Sequence, residues 1–322
     1  MLKAICIIVT CAALSAPCLA GSIWVKGNTH THSNLSDGDS PPQVVADWYR
    51  AHGYQFLIIT DHNKLTDPAA HVKPAADFIL IPGEEISAAF EGAPIHVNAL
   101  GIQKQLPVAS GKSKIETLQR NIDLAADDGG LAQIDHPNWH YAFGAREMSR
   151  VTRCSLFELD NASSGCNNEG DATHPSTEAM WDEMLSKGQA MYGVASDDAH
   201  HFAKFGPQYD NPGKGWIVVR VNKLSAKDIL SGIARGDFYA STGVELEDVR
   251  CRDGELAVSV KPAIGKTYRV QFIGPGGKIV ADEAGVKASC GIPDAPDAYL
   301  RAKVIAGDGT FAWTQPVRRN KQ

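Results

Sequence analysis

The sequence predicts an α/β fold: one large barrel of βα units followed by a small all-β, sandwich-like unit. Three observations carry this. From Ile23 to about Val244 short β-like runs alternate with amphipathic helical stretches, the mark of βα units around a parallel sheet. Beyond Val244 the helical period vanishes, and alternating runs such as Leu256–Val260 and Tyr268–Ile273 are broken by the Gly274-Pro275-Gly276-Gly277 turn. The chain has 322 residues, 43% of them hydrophobic and 21% charged, which suits a globular protein with a large core. The expected division is 1–20, 21–244 and 245–322.

Taken in order, Met1, Leu2 and Lys3 precede an apolar run from Ala4 to Ala16, and small residues around Ala20 offer a cleavage point. This reads as a signal peptide, with a run too short to span a bilayer. The chain is therefore expected to be exported, to the periplasm or beyond, with no membrane span once processed. Pro41-Pro42 opens a helix in which Val44, Val45, Trp48 and Ala51 share a face; Gly53 ends it and Phe56–Thr60 is a buried strand. A second helix carries Ile115, Leu118, Ile122 and Ala125, stops at Gly129-Gly130 and leads into the strand Leu131–Ile134. A third runs from about Thr177 to Lys187, followed by a strand over Ala190–Ala195. Ser225 caps a fourth helix through Ile229, Leu230 and Ile233, closed by Gly236 before the strand Phe238–Ser241.

The formal charge is −6, and −7 once Lys3 leaves with the first twenty residues. A mildly acidic chain with no basic stripe argues against a nucleic-acid partner. Of seven cysteines, three lie in the first twenty residues, leaving Cys154, Cys166, Cys251 and Cys290. An even number in an oxidising compartment predicts disulfides; three pairings are possible, of which the neighbours Cys154–Cys166 and Cys251–Cys290 fall within the two regions, and buried free thiols are the alternative. No Cys-x-x-Cys spacing points to a cysteine zinc site.

The chemistry is concentrated in histidines and carboxylates. His30 and His32 are two apart at the end of a β-like run, so an extended backbone turns both rings to one side. In order there follow Asp37, His62, Glu85, His96, His136, Asp198 and His200; six of the eleven histidines stand at such positions. Imidazoles mixed with carboxylates suit zinc, manganese or iron, and a surplus over four ligands implies two or three divalent ions with a bridging carboxylate. Several of these residues immediately follow strands, which places them at the C-terminal mouth of a parallel barrel. Lys64, Asn138, Trp139, His140 and Arg146 lie just after these motifs and are the candidates for substrate contact. Asp61, beside His62, is a candidate to orient an imidazole through its second nitrogen, with a surface or helix-capping role as the equal alternative.

The motifs His30-Thr31-His32 through Ser36-Asp37-Gly38, Thr60-Asp61-His62-Asn63, Gly83-Glu84-Glu85-Ile86, His96, Asp135-His136-Pro137 and Asp198-Ala199-His200 occur in order over about residues 27–243. In these the sequence resembles the PHP family, the polymerase and histidinol phosphatase group. The resemblance implies a distorted seven-stranded βα barrel and a metal-dependent phosphoesterase. It implies His30, His32, Glu85 and Asp198 on a first ion, Glu85, His96 and His136 on a second, and Asp37, His62 and His200 on a third, so that Glu85 and Asp198 are its catalytic carboxylates. Aspartate stands at residue 37 where some members carry histidine, which leaves the count at two or three ions. Ser196-Asp197-Asp198 has one aspartate more than the simplest family pattern, making Asp197 a partner of a ligand rather than a ligand. The expected substrate is a phosphate mono- or diester, small or glycan-linked. The alternatives are a hydrolase of amide or glycosidic bonds, which metal-activated hydroxide would also attack, and a metal- or glycan-binding protein.

Overall fold

The computed structural model describes residues 21–319; the signal-like segment 1–20 lies outside the described residues. Strands and helices first alternate as β1 (Ile23–Asn28), α1 (Pro42–Ala51), β2 (Phe56–Ile58), α2 (Pro68–His71) and β3 (Ile79–Ile81). A hairpin of β4 (Gly83–Phe90) and β5 (Ala93–Leu100) interrupts the alternation. It resumes with α3 (Lys114–Asp127), β6 (Leu131–Ile134), α4 (Ala145–Met148), β7 (Leu156–Asn161), α5 (Thr177–Ser186), β8 (Tyr192–Ser196), β9 (Trp216–Val221), α6 (Ala226–Arg235) and β10 (Phe238–Ser241). Then come only strands: β11 (Leu246–Arg252), β12 (Glu255–Val260), β13 (Tyr268–Gly274), β14 (Lys278–Ala284), β15 (Lys287–Gly291), β16 (Tyr299–Ala306), β17 (Phe311–Thr314) and β18 (Val317–Arg318).

The fold is mixed α/β as expected, but the strands do not close into one hydrogen-bonded barrel. A ten-stranded sheet runs β14-β13-β16-β17-β10-β9-β1-β2-β3 with β18 on β16, a five-stranded sheet runs β4-β5-β6-β7-β8, and β11-β12-β15 form a third. Among the described residues the first two are paired as strands only through isolated bridges, Thr31 with Ala199 on one side and His62 with Glu85 and Thr66 with Gly83 on the other, although they share one apolar core. The reason is local. β2 and β3 are three residues long, and Pro82, with no N–H to give, sits between β3 and β4. The antiparallel pairing of β4 with β5 and of β5 with β6 also departs from a parallel barrel.

Local packing explains the elements that position the mouth. A Cβ on Gly27 would stand 2.3 Å from the Phe56 ring, so only glycine lets β1 and β2 lie this close. Ser113, Ser176 and Ser225 each cap their helix by accepting a backbone N–H three residues on. The buried face of α1 is Pro42, Val45, Ala46 and Tyr49. It is rotated from the expected one: Val44 is 46% exposed, and Trp48 packs instead against His52.

Strand pairing runs across residue 244, since β17 pairs with β10. One core, containing Val45, Tyr49, Leu57 and Val218, also contains Val258, Val270, Phe272, Leu300 and Val304. A buried charge network adds to this seam. Arg301 is 1% exposed and gives Asp182 of α5 hydrogen bonds of 2.8 and 2.6 Å, with Tyr299 donating to the same carboxylate at 2.7 Å. Lys303 pairs with Glu178 on the same helix.

The expected disulfides are corrected: all four cysteines are free. Cys251 faces Leu256 and Leu256 faces Cys290 across neighbouring strands. The two cysteines are thus two strand spacings apart, roughly 9–10 Å, beyond the limit of about 7 Å between bridgeable Cα atoms. Cys154 Sγ lies 3.2 Å from the Ala132 carbonyl near the start of β7, and Cys166 Sγ 3.2 Å from Asn161 Oδ1 at its end. The six-residue strand, about 17 Å long, separates them.

Arg301→Ala leaves Asp182 buried without its cation and is expected to cost about 3–5 kcal/mol. Urea unfolding of the variant and the wild type measures the loss; a difference below about 1 kcal/mol, the worth of a surface pair, would show that the seam does not depend on this network.

Candidate metal centre

The candidate ligands reach one place because four strands end there. β1 delivers His30 and His32 just past Asn28, β2 delivers His62, β6 delivers His136, and β8 delivers Asp198 and His200. The hairpin supplies two more from within, Glu85 as the third residue of β4 and His96 opposite Ser87 in β5, and the loop between β1 and α1 supplies Asp37. Backbone bonds lace the ligand-bearing segments together, with Asp198 N donating to the His30 carbonyl at 3.0 Å, His32 N to Ala199 at 2.9 Å and Thr60 N to Thr31 at 2.9 Å.

Glu85 is the centre of the constellation. Its Oε2 lies 3.4 Å from His30 Nε2, 3.4 Å from His32 Nε2 and 2.9 Å from His62 Nδ1. Its Oε1 lies 2.6 Å from His96 Nδ1 and 3.3 Å from His136 Nε2. The two oxygens therefore face two separate imidazole sets. Asp198 Oδ1 joins the first set, 3.2 Å from His30 Nε2 and 3.0 Å from His32 Nε2. A third group, His32, Asp37, His62 and His200, opens toward solvent: Asp37 is 3.4 Å from His62 Nε2 and 3.5 Å from His200 Nε2, with half its side chain exposed. The His32 and His200 rings stack at 4.1 Å.

Electrostatics match this geometry. Burial raises the cost of charge on Glu85, yet His96, His30 and His136 hold its carboxyl well below the usual range. Asp198, equally buried, is held down by His30, His32 and His200. Burial opposes the charging of His62 and His200, but Asp37 and Glu85 raise His62 to about 10, and Asp37 and Asp198 raise His200 to about 9. Three buried atoms of the cluster, His30 Nε2, His32 Nδ1 and Glu85 Oε2, have no hydrogen-bond partner. Leaving such atoms unpaired costs about 1–3 kcal/mol each, and all three can donate a lone pair to a cation. The donor set fits divalent ions.

All nine residues singled out as ligands are in this constellation. The adjacent glutamates part company: Glu84 turns away, accepts from Leu106 N at 2.9 Å, and burial together with Asp128 lifts it to about 7 against the pull of that bond. Asp61 is corrected. It touches no imidazole, because Ser33 N, Ser33 Oγ, Ser36 Oγ and Thr66 Oγ1 fill its oxygens, so it braces the loop that leads to Asp37. Asp197 is no ligand either; it accepts from Asn28, Tyr49 and the backbone of Gly213, Lys214 and Gly215.

Among the substrate candidates, Trp139 stands at the cluster, its ring 5.5 Å from that of His96 and 5.1 Å from that of His136. Asn138 is buried and ties down the loop at Asn167 and Pro175. Lys64, His140 and Arg146 are exposed and form no ion pair with the cluster. Sequence reasoning missed Glu158, a fully buried carboxylate 2.7 Å from His30 Nδ1. Its signal was present: one charge inside the apolar run Leu156-Phe157-Glu158-Leu159.

No family model matches the sequence, and no curated protein matches it. In three dimensions the chain is similar to a two-domain protein from Bacteroides vulgatus containing a predicted PHP-like metal-dependent phosphoesterase. The identity is 16%, with 94% of this chain and 97% of that one covered at a TM-score of 0.52. The likeness extends over nearly the whole of both chains, so the β-rich C-terminal region belongs to the shared fold. Weaker similarity is found to an amidohydrolase from Chromobacterium violaceum, at 16% identity, 56% and 92% coverage and TM-score 0.40. The same holds for a provisional metal-dependent phosphoesterase from Bifidobacterium adolescentis, at 12% identity, 58% and 92% coverage and TM-score 0.42.

Two outcomes are expected. Glu85→Gln removes the charge between the two imidazole sets and should weaken metal affinity by more than about 100-fold, beyond the 10- to 100-fold typical of groups that only support ligands. Glu84→Gln should keep wild-type affinity. Metal content of the two purified variants decides, and a depleted Glu84→Gln would reverse the assignment. Because His62 and His200 titrate near 10 and 9 in the metal-free chain, both are protonated at neutral pH and must shed protons to coordinate. Metal affinity should therefore rise as pH rises toward 9–10. Calorimetry in buffers of different ionisation enthalpy reads the released protons, and a heat independent of buffer would contradict this.

Proposed function

We propose that this chain is a metal-dependent hydrolase of phosphate esters, mono- or diesters, built on a PHP-type arrangement. The observation that carries the reading is Glu85, one buried carboxylate whose two oxygens address separate imidazole sets. His30, His32, Glu85 and Asp198 would hold a first divalent ion, Glu85, His96 and His136 a second, and Asp37, His62 and His200 a third. Ions so held supply Lewis acidity, which acidifies water near neutral pH and offsets the charge that builds on a phosphoryl group. The chain's own part is to preorganise them. The backbone lacing of the 30–32, 60–62 and 198–200 segments keeps the donors in place, and Trp139 walls His96 and His136.

A second reading is attack at an amide or glycosidic carbon; among the described residues no Lys or Arg is ion-paired with a cluster carboxylate. The signal-like residues 1–20 support an exported protein acting on a small-molecule or glycan-linked ester. No helix among the described residues is long and apolar enough to cross a membrane.

The test is a panel of phosphomonoesters, phosphodiesters and amides offered to the purified protein loaded with zinc, manganese or iron. Phosphate-ester turnover, abolished by a chelator and restored by metal, is expected. Turnover of amides alone would move the protein to the second reading, and activity indifferent to chelation would remove the metal from the chemistry.

A further inference from the structure

We propose that Glu158 is a positioning residue: it fixes which nitrogen His30 presents to an ion and holds the two imidazole sets flanking Glu85 in register. This rests on the reading of the cluster as a metal centre. Glu158 lies on β7 with no solvent exposure, inside an apolar run, where an isolated carboxylate is costly and persists only if every lone pair is used. Five donors converge on it. Oε1 takes the Nδ1–H of His30 at 2.7 Å, the hydroxyl of Ser196 and, at 3.5 Å, Nε2 of Gln133; Oε2 takes the backbone N–H of His136 at 2.7 Å and Nδ2 of Asn161 at 2.7 Å.

These bonds reach both sides of the centre. With its Nδ1–H committed, His30 can offer only Nε2, the atom that faces Glu85 Oε2 at 3.4 Å and Asp198 Oδ1 at 3.2 Å. Asp135 stands 3.9 Å from the same Nδ1, too far to take that bond. His136 belongs to the other imidazole set and has a positive φ of 22°, a conformation a non-glycine residue holds only when its surroundings fix it. The Glu158 bond to its N–H is one such restraint. Asn161 extends the same anchor to Asp198, 3.2 Å from Oδ2. One carboxylate thus ties a ring on one side to a backbone on the other. Glutamine cannot replace it, since an amide has one accepting oxygen and its NH2 would face two donors.

Two measurements on the zinc-loaded protein test this. With 15N-labelled histidine, NMR of the wild type should show His30 bound through Nε2 with a slowly exchanging proton on Nδ1; zinc on Nδ1, or no proton there, overturns the proposal whatever any variant does. In competition with a chromophoric chelator, folded Glu158→Gln should bind zinc at least about tenfold more weakly than wild type. A merely structural Glu158 predicts otherwise: a lower melting temperature for the metal-free variant with unchanged zinc affinity, and that result also overturns it. Failure of the wild type to bind zinc would instead remove the underlying metal reading, and this proposal with it.

Discussion

Everything at the mouth of this fold is arranged around one buried negative charge. The carboxylate of Glu85, 1% exposed, sits among five imidazoles at the one edge where β4 of the five-stranded sheet meets the segment following β2 of the ten-stranded sheet. A charge taken this far from water must be compensated by neighbours, and here the compensation comes from four separate segments, at residues 30–32, 62, 96 and 136, laced by backbone bonds. The site and the junction of the sheets are therefore one feature. Where the sheets fail to complete a hydrogen-bonded ladder, the freed segments carry the ligands.

The irregularities follow from the same requirement. Parallel strands can present residues only at their C-terminal ends, and β1, β2, β6 and β8 do so. The remaining side of the centre is filled by the β4–β5 hairpin. β6 pairs with β5 over Val97–Leu100, and His96 lies just past that pairing, its carbonyl accepting from Asp135 N at 3.3 Å. The cost of this departure from alternating βα units is a break in the sheet at Pro82.

Much of this was legible in the sequence, and the reason is physical. Candidate ligands have specific chemistry, and His30, His32, His62, His136 and Asp198 also come after strands, so they announced themselves by type and place together. The helices α3 and α6 were legible through their apolar periods and terminating glycines, α6 through its serine cap as well. What could not be read were features defined by partners. Glu158 sits within a strand of apolar neighbours, and only the three-dimensional packing reveals that its lone pairs serve His30 and His136. Asp61 adjoins His62 in sequence, but its carboxylate turns to Ser33, Ser36 and Thr66 instead. The β4–β5 hairpin was hidden because its strands mix charged and polar residues (Glu84, Glu85 and Ser87; His96 and Asn98) with apolar ones in no strict alternation. The cysteine pairing failed since neighbours in sequence were placed two strands, or a full strand length, apart.

The sheet that crosses residue 244 has a consequence for how the chain comes into being. When the first 244 residues have been synthesised, β10 is an open edge and the face beneath α1 lacks the apolar side chains of β12, β13 and β16. The strand that completes that edge, β17, is among the last to be made. Folding cannot then proceed as a finished N-terminal body awaiting an appendage, and the nascent chain must be kept from pairing with other edges until its final strands arrive. The ligand-bearing β1 lies two strands inward from that edge, so maturation of the centre is coupled to completion of the C-terminus, although no candidate ligand resides there.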